Sequence, residues 1–137
     1  MRVFFDASGW VPSVVTTDQW RIAFQRIMRE LRQQPRLEIV TTTWTLYEAM
    51  ALARRQSHAL AVQLHQQAMR GAETIEVGSD VEREAVRRFL RWGDKRASVV
   101  DHANGLVAVQ WGCEAIVSFD DDFAPIAAAA GLRLLSK

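Results

Sequence analysis

A single cysteine in 137 residues rules out an internal disulfide, so this chain has to be held together by its core. Cys113 lies in an apolar stretch beside Trp111, where a buried, reduced thiol of a cytosolic protein is expected. Proline occurs only 3 times and glycine 7 times, and no segment reads as a repeat, a low-complexity tract or an interdomain linker. Long apolar runs are missing as well. Nothing approaches the roughly 18 uninterrupted apolar residues of a membrane span, and Asp6 interrupts the apolar start. The expectation is a soluble, cytoplasmic protein without a membrane partner. Excess charge of one sign is also absent: 17 Lys plus Arg stand against 16 Asp plus Glu, so affinity for a polyanion has to come from local patches. His58, His65 and His102 form no i, i+4 pair and share no metal spacing with Cys113, which argues against a zinc site.

What is present is an alternation of short apolar runs with amphipathic stretches. The length fits one domain over 1–137 with one core. Val3–Phe5 is a buried strand that ends at Asp6. Trp20, Phe24, Ile27, Met28 and Leu31 recur at helical spacing and predict a helix over 18–34, capped by Thr17 or Asp18. Leu37–Val40 reads as a second strand, and the threonines at 41–43 lead into a helix that carries Glu48 in its first two turns. Ser57 caps a helix to about Met69 that Gly71 ends, and Glu73–Val77 is a third strand. Ser79 and Glu82 form a capping-box signature for a helix whose apolar face is Val81, Ala85, Val86, Phe89 and Leu90. Ser98 and Asp101 open a nearly uncharged helix to Gly112, which belongs in the middle of the domain. Ala115–Phe119 is a fourth strand, Asp122 caps a short helix with Pro125 in its first turn and Gly131 after its end, and Leu132–Leu135 is a fifth strand. Strands alternating with helices imply a three-layer α/β/α fold around a parallel sheet, and ligands of such sheets bind outside the carboxyl ends of the strands.

Four acids sit at that edge or near it. Asp6 and Asp120 follow strands, while Glu48 and Asp101 lie in the early turns of helices that begin there. Taken singly, each reads as an ordinary strand-end or capping residue; the four together read as a metal site. Clustered carboxylates repel one another unless a cation neutralises them, and hard oxygen ligands favour Mg²⁺ or Mn²⁺ over Zn²⁺. Such a site can activate a water and stabilise the charge that builds on a phosphodiester, so hydrolysis of a phosphate ester is the reaction class that follows.

Over essentially its whole length the chain resembles the PIN domain, and within it the VapC-like ribonuclease toxins of prokaryotic toxin–antitoxin pairs. The resemblance is carried by Val3-Phe4-Phe5-Asp6-Ala7-Ser8, by Glu48 of Thr43-Trp44-Thr45-Leu46-Tyr47-Glu48, by Ser98-Val99-Val100-Asp101 and by Val117-Ser118-Phe119-Asp120-Asp121-Asp122-Phe123. It implies a five-stranded parallel sheet flanked by helices, a Mg²⁺- or Mn²⁺-dependent endoribonuclease, a homodimer, and a partner antitoxin that blocks the site. It carries over to Asp6, Glu48, Asp101 and Asp120 as the catalytic, metal-binding acids, with Asp122 as an additional metal or water contact and Ser8 as an accompanying hydroxyl. Asp121 and the His102 that follows the third acid depart from the family's pattern. Of the three adjacent aspartates, Asp120 ranks first because it follows the strand, Asp122 reads as a helix cap and Asp121 as solvent-facing.

Other residues have bland readings beside their functional ones. Arg83, Arg87, Arg88, Arg91, Lys95 and Arg96 read as a solvated face before they read as an RNA-backbone or antitoxin surface. Arg55, seven residues beyond Glu48, shares its helix face and can hold a phosphate or balance the acids. His102 reads as structural. Trp20 and Trp111 read as core, whereas Trp10 and Trp44, close in sequence to the acid edge, are candidates for substrate or partner contact. The alternative to a ribonuclease is a catalytically inert scaffold of the same fold that binds a protein partner or RNA. A phosphoaspartyl enzyme or signal receiver is disfavoured, because Asp6-Ala7-Ser8-Gly9 and Ser118–Phe123 supply neither the paired acid nor the late lysine those need.

Overall fold

The strands β1 (Arg2–Phe5), β2 (Glu38–Thr42), β3 (Ala72–Ile75), β4 (Ala115–Val117) and β5 (Arg133–Leu135) pair in the order β3-β2-β1-β4-β5, every neighbour parallel. This computed structural model describes residues 1–93 and 96–137. A parallel sheet has to be covered on both faces, and the pleat of β1 shows how. Val3 and Phe5 point into a core shared with α1 (Ala7–Trp10), α2 (Arg21–Leu31), α3 (Thr43–Arg54) and α4 (His58–Gly71). Phe4 points into a second core with α5 (Ser79–Arg91), α6 (Val99–Gln110) and α7 (Ala124–Ala130). The three-layer α/β/α architecture expected from the sequence is the one observed.

The chain steps outward from β1 to β2 to β3, then returns to lay β4 and β5 on the other side of β1. Its winding therefore reverses between β1 and β4, and a crevice opens at their carboxyl ends. The crevice is closed at its base by the Asp6 backbone N–H, which donates to the carbonyl of Val117 at 3.2 Å. Gly9 completes the corner. A Cβ at that position would lie 2.7 Å from the Val117 carbonyl oxygen, so only glycine lets α1 sit this close to the end of β4.

Several elements differ from the sequence expectation. α2 begins at Arg21 because the Asp18 carboxylate accepts from the Trp20 backbone N–H at 2.8 Å in a turn, not as the cap of the helix. β2 extends through Thr42, whose hydroxyl caps α3 by accepting from the Thr45 N–H at 3.1 Å. Gly71 is the last residue of α4 and β3 follows at once, ending at Ile75. The capping box at Ser79 does not form: Gly78 takes the cap position in extended conformation and makes Ser79 the first helical residue. On α5 only Val81 and Ala85 are buried, whereas Val86, Phe89 and Leu90 are exposed, since the helix meets α6 with the edge of a wide apolar face. Arg87, Arg88 and Arg91 gather around Glu84 and Arg83 pairs with Asp80, an ion-paired solvent face; Lys95 of the same cluster lies outside the described residues.

Trp10 is 5% exposed, with its indole N–H on the Thr41 hydroxyl at 3.1 Å, because α1 turns its side chain inward; it is core, not a contact surface. Trp44 is half-buried against the second core, and Trp20 and Trp111 are half-buried at the margins of the two cores, not inside them. His102 is buried edge-on against Trp92, as a structural residue would be. Burial pushes the Cys113 thiol up to about 11, against a smaller pull from Arg2, so it is not a nucleophile at neutral pH.

The close approach at Gly9 has a measurable consequence. Gly9→Ala should lower unfolding free energy in urea by about 1–3 kcal/mol, since a backbone carbonyl cannot move aside as a flexible side chain would. Gly71→Ala, with nothing within 4 Å of the added methyl, should leave stability unchanged or raise it slightly.

Candidate active site

Asp6 leaves β1 at the crevice and serves as the N-cap of α1. Its Oδ1 accepts from the Gly9 N–H at 2.9 Å and from the Ser8 hydroxyl at 2.7 Å. Ser8 Oγ in turn accepts from the Phe119 N–H at 2.8 Å and lies 3.5 Å from Ser118 Oγ, which accepts from the Asp120 N–H at 3.2 Å. One relay of hydroxyls thus ties the exit of β1 to the exit of β4. Asp6 is 4% exposed, and burial raises its carboxyl to about 7. The Ser118 and Ser8 hydroxyls and the Gly9 N–H oppose that rise, and the charge of Asp101 adds to it.

Asp101 enters from the other core. It occupies the third helical position of α6 in a complete capping box: the Ser98 hydroxyl accepts from its N–H at 3.1 Å, and its Oδ2 accepts from the Ser98 N–H at 2.9 Å. Its pKa is raised by burial and by the charges of Asp120 and Asp122, against the pull of the Ser98 hydrogen bonds. Glu48, in the second turn of α3, is raised by partial burial and then by Asp101 and Asp120. Asp120 sits at the mouth, its Oδ1 accepting from the Asp122 N–H at 2.9 Å as the cap of the 3-10 turn Asp121–Phe123. The side chain that caps the turn is therefore Asp120, not Asp122, and α7 starts behind Phe123 with no side-chain cap. Cations claim the other two aspartates: Lys137 Nζ lies 2.7 Å from Asp121 and Arg96 Nε 3.3 Å from Asp122, whereas Asp120 has no ion pair among the described residues.

No protein-family model matches the sequence, and no curated relative matches it. Solved structures do. The chain superposes on VapC20 of Mycobacterium tuberculosis, described as a toxin that cleaves the sarcin–ricin loop, with a TM-score of 0.78 and 25% identity over 95% of each chain. It superposes on VapBC2 of Rickettsia felis, solved on a fragment of promoter DNA, at 0.70 with 12% identity, covering 99% of this chain and 98% of that one. A Pyrobaculum aerophilum protein gives 0.65 with 16% identity, covering 98% of this chain and 90% of that one. This is a VapC-like PIN-domain fold.

Within the PIN fold the four acids form one network of mutual repulsion, with Asp101 coupled to Asp6, to Glu48 and to Asp120, and Glu48 coupled to Asp120. Among the described residues, no three His, Cys, Asp or Glu side chains are gathered into a cage that could hold a metal ion by themselves. A closed tetrahedral zinc site needs such a cage. A hydrated Mg²⁺ or Mn²⁺ needs less, taking one or two carboxylates directly and reaching others through water. The donors are all hard oxygens, and a cation between them would relieve the repulsion that raises Glu48 and Asp101.

A further part of this PIN-domain site was not anticipated from the sequence. The Asn104 carboxamide oxygen accepts from the Thr45 hydroxyl at 2.8 Å and from the Thr42 hydroxyl at 3.3 Å, in a buried cluster that joins α6 to α3. Asn104 is three residues after Asp101 and Thr45 three before Glu48, so the bonds fix the two acid-bearing helices against each other. The signal was an asparagine among the small and apolar residues in the middle of α6.

Asp6 makes the metal-free PIN domain pH-sensitive in a direction that follows from its shift. Its folded pKa of about 7 lies above the unfolded value of ~3.9, so the folded state holds the proton more tightly in between and stability falls as pH rises through that window. In EDTA, Asp6→Asn should melt several degrees above the parent near pH 8, and the gap should narrow on acidification and close toward about pH 4. A gap that is constant or widens on acidification would contradict the burial assigned to Asp6.

Proposed function

We propose that this chain is a divalent-metal-dependent endoribonuclease and acts as the toxin of a cytoplasmic toxin–antitoxin pair. The observation that supports the proposal is the electrostatic coupling that links Asp6, Glu48, Asp101 and Asp120, contributed by four different parts of the chain, with Asp6 at the reversal point between β1 and β4. The likeness to VapC20, a sarcin–ricin loop cleaving toxin, supports RNA as the substrate. The likeness to VapBC2 supports an antitoxin partner. No helix among the described residues is long and apolar enough to cross a membrane.

Asp6, Glu48, Asp101 and Asp120 would hold Mg²⁺ or Mn²⁺, with Asp122 contributing less because Arg96 already neutralises it. When bound, the cation supplies Lewis-acid polarisation of the phosphoryl oxygen and a more acidic water. The chain supplies position. Ser8 and the Gly9 N–H hold the Asp6 carboxylate in one orientation, the Ser98 box holds Asp101, and the Thr42–Thr45–Asn104 cluster sets α3 against α6. Glu48 and Asp120 stand at the solvent side, where water and RNA arrive. No side chain serves as nucleophile: Ser8 Oγ is committed to Asp6 and Phe119, and Cys113 is buried as a thiol.

Two surfaces suit the partners. A groove of about 640 Å³ between α2 and α4 contains none of the acids, has an apolar floor of Phe5, Phe24 and Met28 and carries Arg21, Arg29, Arg32 and Arg70, which suits an antitoxin segment. The exposed Phe89 and Leu90 of α5 suit a second copy in a homodimer. That no three-acid cage forms among the described residues favours one other reading, an inert scaffold that binds without cleaving.

Cleavage separates the two. With Mg²⁺ or Mn²⁺ the purified protein should cut RNA, and Asp101→Asn should lose at least about a hundredfold in rate, comparable to removing a principal catalytic group. RNA left intact by the parent, or cut equally by the variant, would leave only the scaffold.

A further inference from the structure

A pocket of about 340 Å³ opens beside the acids, between the segment joining α1 to α2 and the last turn of α3. Two features connect it to the acid cluster. Ser8, whose hydroxyl is bonded to Asp6, forms part of its wall. Leu52 and Arg55 form part of the opposite wall, and they follow Glu48, which lies outside the pocket, at i+4 and i+7 on one face of α3 and its C-cap. At 1.5 Å per residue Arg55 lies about 10 Å from Glu48 along the helix.

The lining matches one kind of ligand. Val11, Val15 and Leu52 give an apolar floor, and the carboxamides of Gln19 and Gln56 present donors and acceptors at the rim. Arg55 is exposed and makes no ion pair among the described residues. Trp20 closes one side, its ring stacked on Phe119 at 5.7 Å with the Lys137 ammonium 4.7 Å above it. Asp18 also lines the pocket, its carboxylate accepting from the Trp20 backbone N–H at 2.8 Å, so the chamber has an apolar floor, polar edges and a guanidinium, and is suited to a planar, edge-polar group whose phosphate lies on the Arg55 side. The volume is within the ~300–1,000 Å³ of ligand pockets.

We propose that this pocket is a nucleotide subsite, which takes one unpaired nucleotide of single-stranded RNA adjoining the scissile phosphate, the base in the chamber and the phosphate on Arg55. The inference rests on the ribonuclease reading for its choice of substrate. Duplex RNA, with its bases stacked inward, does not fill the chamber.

The neighbouring arginine supplies the control. Arg54 is equally exposed, carries the same charge and does not line the pocket. Binding of a fluorescent single-stranded RNA dodecamer of mixed sequence, measured by anisotropy in EDTA so that it is not cut, should weaken about tenfold or more in Arg55→Glu and less than about threefold in Arg54→Glu. Gln19→Trp, which fills the rim without changing charge, should also weaken it, while binding of a duplex should fall equally in the two arginine variants. Equal single-strand losses for Arg54→Glu and Arg55→Glu, or no loss in Arg55→Glu, would overturn the subsite; so would melting-temperature changes in Arg55→Glu without an affinity change, which would assign Arg55 to the end of α3. If the parent binds single strands with the expected arginine contrast but does not cut them on adding Mn²⁺, the ribonuclease reading fails and the subsite stands. If it cuts them without that contrast, the reverse holds. A parent that does not bind single-stranded RNA in EDTA overturns the subsite, whereas the ribonuclease reading stands or falls on cleavage with Mn²⁺.

Discussion

The carboxylate of Asp6 must stay dehydrated where two halves of a parallel sheet meet, and much of the architecture around the crevice answers that requirement. A buried carboxylate is unfavourable unless hydrogen bonds or a cation compensate it. Here Ser8, Gly9 and Ser118 compensate it in part, and they do so by drawing the β1 exit onto the β4 exit. The bare Gly9 lets the two backbones approach, and the Asp6 N–H locks them. Compensation remains incomplete, since the carboxyl still rises to about 7. The fold thus maintains an unfavourable charge at the point where ligands of such sheets bind, with three more acids around it.

Those acids are held with different degrees of freedom. The Asp6 carboxylate accepts two hydrogen bonds and those of Asp101 and Asp120 accept one each, whereas the Glu48 carboxylate has no hydrogen-bond partner among the described residues. Asp6 is buried and Asp101 half-buried, while Glu48 and Asp120 are exposed at the mouth, a gradation that suits the proposed site, which would hold a cation and admit RNA. Neutralisation of Asp121 by Lys137 and of Asp122 by Arg96 keeps that entrance from carrying three uncompensated negative charges in a row. The chain's overall balance of charge conceals this local arrangement.

Much of this was legible in the sequence, and the rest was not for identifiable reasons. A strand as short and apolar as Val3–Phe5, ended by Asp-Ala-Ser-Gly, has few other interpretations, and the Ser98–Asp101 box is a local motif that forms as written. The Ser79–Glu82 box is equally local yet fails, because Gly78 takes the cap one residue earlier. Trp10 was misplaced by its proximity to Asp6: nearness in sequence says nothing about which way a short helix turns its side chain. Asn104 meets Thr45 across 59 positions, and the cations that single out Asp120 come from residues on other elements. Pairings of that range have no periodicity to reveal them. The parallel, helix-covered sheet followed from the alternation of strands and helices, whereas the order of its strands and the cations that pair with Asp121 and Asp122 required three dimensions.

The central claim is that these separated acids act as one cation site. Calorimetric titration of the metal-free protein with Mn²⁺ tests it most directly, because it requires neither the right RNA nor the right antitoxin. Saturable binding that disappears in Asp6→Asn and in Asp101→Asn but survives in Asp121→Asn is the expected result. Binding indifferent to Asp6 and Asp101, or no binding by the parent, would contradict it.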